Sequence, residues 1–393
     1  MSSELLDELV EEILLRLPPD EPACLIRAAL VCKAWRRILS AYGFRRRYYR
    51  FHRAPPPLLG YIRHLNVDSM PEFVAASGAV FAPAAAATVP TGSAAGVHAY
   101  GIDCRHGRVL IHDESSPAEP RLVVWDPITG GQEPLSMPPA FRTSCPFSAA
   151  AVLCARHLRG CDHLDCHVGP FLVVFVGERD GAGDAAYNWA AVYSSETRAW
   201  SAAETSDNND YYGSPCVSRP SLLIGDALHF TLFTGGAALR VLRCDIASGG
   251  SVHGRRLSVI DDTPLVFKGN NVVPIEIGGG LGFVEYSFRN RIYTWSRRQA
   301  DASNGVGGGW VRDDDVVDLE TSILTRRHAP YHHNPDDKIR FAEGTNTVLI
   351  SMNNRMGFGV FALDLKSRHV REIADKWDTA GVLPYMSFYT PAE

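Results

Sequence analysis

Apolar residues at Leu9, Val10, Ile13, Leu14 and Leu17 recur at three- and four-residue intervals and stop at Pro18-Pro19, which predicts a short amphipathic helix. Asp7 is the expected cap, with Glu8, Glu11 and Glu12 near the positive end of the helix dipole. Asp20, with Pro22 in the first turn, opens a second helix through Leu25, Ile26 and Ala29. Val31, Trp35, Ile38 and Leu39 make a third stripe. Three helices of this length bury little surface by themselves, so their apolar face waits for a partner or packs on the rest of the chain. Residues 44–53 are basic and aromatic and read as a solvated face leading out of the helices, and Pro55-Pro56-Pro57 stiffens the exit.

Beyond this point the period changes. Residues 75–96 are mostly Ala, Gly, Pro, Ser and Thr, a low-complexity stretch that reads as a loop. Strand-like apolar runs then alternate with turn residues. One signal recurs: Val123-Val124-Trp125-Asp126-Pro127-Ile128-Thr129-Gly130 is a strand ending in an Asp turn, where the carboxylate bonds the backbone ahead and Gly takes the left-handed angle. Weaker echoes anchored on Tyr193, Cys244, Trp295 and Leu363 give spacings of 68, 51, 51 and 68 residues. A period near 50 is the length of a kelch-type blade, and the residues available after the helices make about six blades. The expected fold is a small all-α module of three helices followed by an all-β domain, a β-propeller of about six kelch-like blades. An irregular pair of β-sandwiches is the other architecture that fits. Residues 386–389 are apolar and β-prone and suit a closing strand against residues 61–67.

Composition narrows the function classes. With 46% hydrophobic and 21% charged residues, the chain reads as globular rather than disordered. A net charge of -5 argues against nucleic acid as partner, because phosphate binding needs a basic face. Lysine occurs only at Lys33, Lys268, Lys338, Lys366 and Lys376. No apolar run reaches membrane-spanning length and the acidic start does not read as a signal peptide. Nine scattered cysteines and no Asn-x-Ser/Thr sequon fit a reducing compartment, cytoplasm or nucleus.

Leu5-Leu6-Asp7-Glu8-Leu9-Val10-Glu11-Glu12-Ile13-Leu14-Leu15-Arg16-Leu17-Pro18-Pro19 and then Arg27-Ala28-Ala29-Leu30-Val31-Cys32-Lys33-Ala34-Trp35-Arg36-Arg37 resemble the F-box of plant F-box proteins. Both halves match in order and spacing. Leu58-Leu59-Gly60-Tyr61 resembles the join to the C-terminal domain in grass-type members. The resemblance implies an F-box over 3–50, a basic and Pro-rich linker over 51–60 and a propeller-like substrate-binding domain over 61–393. It also implies a non-catalytic subunit of a Skp-cullin-F-box ubiquitin ligase. A Skp-type adaptor, and through it a cullin, would bind the F-box, and a target protein would bind the β domain. The implied adaptor-binding residues are Leu5, Leu6, Leu9, Ile13, Leu17, Pro18, Leu25, Val31, Cys32, Trp35 and Leu39. The family pattern usually begins Leu-Pro-Asp. Here Leu6 takes the place of that proline, which keeps an apolar group but gives up the fixed backbone angle. An interaction protein outside ligase assembly and a kelch-type copper oxidase are the alternative readings.

Candidate chemistry is thin. Cys154, His157, Cys161, His163, Cys166 and His167 are the residue types zinc prefers, but their gaps match no closed zinc pattern, and the run reads as a blade-connecting loop. His328, His332 and His333 lie in a proline-bounded loop read as an interaction surface. There is no Gly-x-Ser-x-Gly elbow, no phosphate loop and no His-Glu-x-x-His, so no cofactor, metal or catalytic residue is expected.

Overall fold

The computed structural model describes residues 6–19, 21–52, 56–64, 70–76, 99–116, 118–141, 148–157, 160–179, 187–205, 213–215, 219–233, 239–246, 257–263, 272–287, 291–298, 309–313, 316–319, 338–354, 357–374 and 381–388. Leu5, most of the 75–96 stretch and the His328, His332 and His333 group lie outside the described residues.

Four helices open the chain, one more than expected: α1 Asp7–Leu14, α2 Pro22–Ala29, α3 Lys33–Ser40 and α4 Tyr42–His52. Leu6, not Asp7, is the N-cap of α1, and Asp7 instead forms an ion pair with Arg37 at 2.7 Å. The basic run read as a solvated exit is α4. Its Phe44, Arg45 and Tyr48 are buried, while Arg46 and Arg47 stay outward. Helix α4 closes the open end of α1. The Tyr48 hydroxyl donates to the Leu17 carbonyl at 2.8 Å and His52 Nε2 to the Leu15 carbonyl at 2.8 Å, satisfying acceptors that a helix end leaves bare. Arg47 spans Glu11 and Glu12 of α1. Val10, Leu14, Leu25, Leu39 and Phe44 fill the space between the helices.

The rest is a six-bladed β-propeller. Five antiparallel blades follow one another along the chain. Blade 1 is Ala99–Arg105, Arg108–Asp113, Arg121–Trp125 and Gln132–Ser136. Blade 2 is Ser148–Cys154, Phe171–Arg179, Tyr187–Ser194 and Ala199–Trp200. Blade 3 is Ser214–Pro215, Ala227–Phe233, Leu239–Asp245 and Leu257–Ile260. Blade 4 is Val272–Ile277, Gly280–Ser287, Arg291–Arg298 and Gly309–Arg312. Blade 5 is Lys338–Ala342, Thr347–Asn354, Gly357–Asp364 and Val370–Ala374.

Blade 6 joins the two ends of the domain. Gly381–Met386 pairs with Leu58–His64, which pairs with Glu72–Ala75. Closure by a C-terminal strand is as expected, but the strand ends at Met386 and Phe388 leaves it to pack edge-on against Tyr48 of α4, ring centroids 6.0 Å apart. Within the stretch 51–60 expected as a linker, residues 51–52 end α4 and residues 58–60 begin the strand Leu58–His64. Gly60 is required there, because a Cβ would stand 2.2 Å from the Val74 carbonyl oxygen.

Among the described residues, each pair of neighbouring blades encloses its own apolar layer. Leu110 and Val152 lie between blades 1 and 2, Val174 and Phe230 between 2 and 3, and Val241 and Phe283 between 3 and 4. Tyr286 and Ile350 lie between 4 and 5, Tyr61 and Leu349 between 5 and 6, and Ile62 and Trp125 between 6 and 1. Alternate residues of one strand therefore serve two different layers, with Val174 facing blade 3 and Val173 facing blade 1. That is why the strands read as continuous apolar runs, since both faces of every blade are covered. At one end of the axis Arg105 pins four blades. It bonds Asp103 at 2.7 Å, the Val152 carbonyl at 3.2 Å, the Ser221 carbonyl at 3.0 Å and, through two nitrogens, both oxygens of Glu343 at 2.6 Å.

Candidate functional site

The helical module shows an apolar face that no described residue covers. Along α1, Val10 and Leu14 turn inward while Leu9 and Ile13 turn out, and Leu6 at the cap is 68% exposed. Leu30, Val31 and Cys32, in the turn between α2 and α3, are also exposed. A cluster of exposed large apolar side chains on a small module marks an interaction surface. Leu30 was not among the expected contact residues, because its stripe position does not show which side of a turn it leaves.

The expected adaptor-binding set divides on burial. Leu6, Leu9, Ile13, Val31 and Cys32 are open to a partner, and Leu17, Pro18 and Trp35 are half-buried. Leu25 and Leu39 are closed inside the helical core. The angle lost with the proline is kept by the fold: Leu6 has φ -59° and ψ 140°, within the range proline itself adopts.

The module sits on the propeller through the loop between the first two strands of blade 2. Leu164 enters the helical core, the Tyr42 hydroxyl donates to Asp162 at 2.7 Å, and buried Arg45 pairs with Asp165 at 2.7 Å. Ile26 of α2 reaches the layer between blades 6 and 1. A cavity of about 340 Å³ lies beneath, where Tyr49 of α4 faces Arg105, Glu343 and His163.

That seating loop carries the cysteine and histidine run. Its spacing in sequence matched no closed pattern, yet the fold brings ligand atoms of Cys154, Cys161, His163 and Cys166 within 4.8 Å of one another. Strand pairing does this. Cys154 is the last rung opposite Phe171, the Ala155 N–H bonds the Pro170 carbonyl at 3.0 Å, and the intervening residues fold back over the strand end. Gly160 and His163 take left-handed angles of 74° and 57° on either side of Cys161. A hydrogen bond from Cys166, aided by His163 and the Arg156 N–H, draws the Cys154 thiol down to about 4 against the effect of burial, while donation to Cys154 pushes Cys166 up. His157 and His167 stand outside this group. His157 bonds His163 at 3.0 Å, and His167 lies 3.8 Å from Asp165.

Residues 2–47 match the F-box domain. No curated protein matches the chain. Among solved structures it is similar to TolB from Acinetobacter baumannii, with a TM-score of 0.44 at 12% identity over 86% of this chain and 69% of that one. It is also similar to the Dos1 propeller, with a TM-score of 0.37 at 9% identity over 81% of this chain and 69% of that one. A third is the β-propeller domain of the Trilobed protease from Pyrococcus furiosus, with a TM-score of 0.34 at 9% identity over 71% of this chain and 85% of that one. The chain thus carries an F-box domain at its N-terminus, followed by a six-bladed propeller. That combination fits an F-box substrate receptor and a non-catalytic adaptor.

Proposed function

We propose that this protein is the target-recognition subunit of a Skp-cullin-F-box ubiquitin ligase, working in the cytoplasm or nucleus. The observation that carries the reading is the F-box with its uncovered face of Leu6, Leu9, Ile13 and Val31. An adaptor of the Skp type would cover that face and supply the apolar surface it lacks, and the cullin would join through the adaptor. The protein contributes no bond-making chemistry. It holds a target at a fixed place relative to the adaptor, and seating the F-box through Leu164, Phe388 and the Arg45–Asp165 pair keeps that place defined.

The target would bind the propeller. The F-box occupies the end of the axis where the first strands of blades 1, 2 and 5 lead into the second, beside Gly107, Leu164 and Gly344. The described helices leave the opposite end of the axis free for a protein partner. The test is co-expression of the full chain with a Skp-type adaptor, followed by size-exclusion chromatography. A complex of one adaptor per chain is expected, and separate elution of two folded proteins would overturn the reading.

A further inference from the structure

We infer that Cys154, Cys161, His163 and Cys166 form a structural zinc site that fixes the loop on which the F-box is seated. Three sulfurs and one imidazole nitrogen are a closed donor set for tetrahedral zinc, and soft thiolates disfavour magnesium and calcium. Zinc–sulfur bonds of about 2.3 Å put tetrahedral ligands about 3.8 Å apart. Here all four donor atoms lie within 4.8 Å of one another, and His163 Nδ1 is 3.5 Å from the Cys166 sulfur. A shift of an ångström or less closes the set.

The surroundings select the right nitrogen. The Gly225 carbonyl can only accept, so His157 Nε2, 2.9 Å away, donates to it. With that ring neutral, His157 Nδ1 accepts, and His163 Nε2, 3.0 Å away, must donate. His163 Nδ1 is then left without a proton and turned toward the sulfurs, which is the arrangement a metal-binding histidine needs. The ring is held in plane by His106, stacked at 3.8 Å with 9° between the planes. His106 itself accepts the Cys154 N–H at 3.3 Å. The Arg156 N–H points at the Cys154 sulfur at 3.4 Å, a donor placed for a thiolate.

Charge is also provided for. Zinc held by three thiolates and a neutral imidazole leaves the centre with one negative charge. Arg108 is 3% exposed, and one of its terminal nitrogens has no hydrogen-bond partner. Its other terminal nitrogen donates to the Gly169 carbonyl, three residues beyond Cys166. A buried cation with a spare donor, tied to the end of this loop, balances an anionic metal centre.

The site has a purpose that follows from its position. Asp162, Leu164 and Asp165, the loop residues that hold α4, lie between the ligands Cys161 and Cys166. Metal ligation at both ends sets that short segment in the conformation α4 requires.

The test uses the full chain purified without chelator. Elemental analysis should find about one zinc per chain, and cobalt exchanged for it should show the visible absorption of a tetrahedral thiolate-bound ion. Cys161→Ser, chosen because that side chain is half-exposed, should lose the zinc, whereas Cys32→Ser at the exposed turn should keep it. Chelation should speed amide exchange in α4 and residues 160–168 and leave blade 4 unchanged. Zinc-free protein with no cobalt spectrum, copper in place of zinc, a disulfide among the three cysteines, or full zinc in Cys161→Ser would each overturn the assignment.

Discussion

Ile13 and Leu14 are neighbours in the chain with opposite duties, and substituting each in turn separates docking from folding. Ile13 is 48% exposed and takes no part in the helical core, whereas Leu14 is 1% exposed and lies at its centre. Covering an isoleucine fully contributes about 1.5–3 kcal/mol, so covering the exposed half contributes about 1 kcal/mol. Ile13→Ala should weaken adaptor binding roughly fivefold. Ile13→Asp places an unpaired carboxylate under the adaptor at a cost of about 3 kcal/mol or more, roughly a hundredfold in affinity. Neither change should move stability by more than about 0.5 kcal/mol beyond the mild penalty for an acid near a helix C-terminus. Leu14→Ala should lower stability by about 2–5 kcal/mol. Calorimetric titration with a Skp-type adaptor, paired with thermal melts of each variant, reads both effects. Ile13→Asp binding the adaptor within about threefold of the parent would refute the placement of the docking face.

Two further outcomes follow from the backbone and the axis. Leu6→Pro should stabilise the protein by about 0.4–1 kcal/mol, because the native φ of -59° already suits proline and the unfolded chain loses freedom; a lower melting temperature would show that the leucine side chain matters more than the angle. Arg105→Ala strands Asp103 and Glu343 beside one another and should cost about 3–5 kcal/mol in chemical denaturation, with Arg105→Lys recovering only part because an ammonium cannot span the same set of acceptors. A loss below about 1 kcal/mol for Arg105→Ala would mean that the axial pin is not structural.

Much of the architecture is written in local pattern. The anchors Trp125, Tyr193, Cys244, Trp295 and Leu363 all fall on the third strand of successive blades. The Asp turn is real at both ends of the series. Asp126 accepts the Ile128 N–H at 2.9 Å and Asp364 the Lys366 N–H at 3.0 Å. Helix α4 escaped the same reading because Phe44 and Tyr48 stand among arginines, and a stripe of two aromatics looks solvated when its floor comes from distant chain. That floor, Leu164 and Phe388, lies over a hundred residues away in sequence. The proposed zinc donors are legible as a cluster of the right residue types, but not as a closed set, for a related reason. Spacing rules describe knuckles built within one turn, whereas Cys154 is carried to its partners by the ladder to Phe171. Arg105 gave no signal at all, since its partners come from four blades.

The pairing of Leu58–His64 with Gly381–Met386 sets the order in which a newly made chain becomes complete. At about 5–20 residues per second, roughly 15 to 60 s separate the emergence of the two strands from the ribosome. Throughout that interval the early strand keeps an unpaired edge, and Ile26 and Tyr48 lack Leu383, Tyr385 and Phe388 beneath them. A transcript that stops before Gly381 therefore yields an open ring and an unseated F-box together. Its product loses ring closure and F-box seating in one step rather than two.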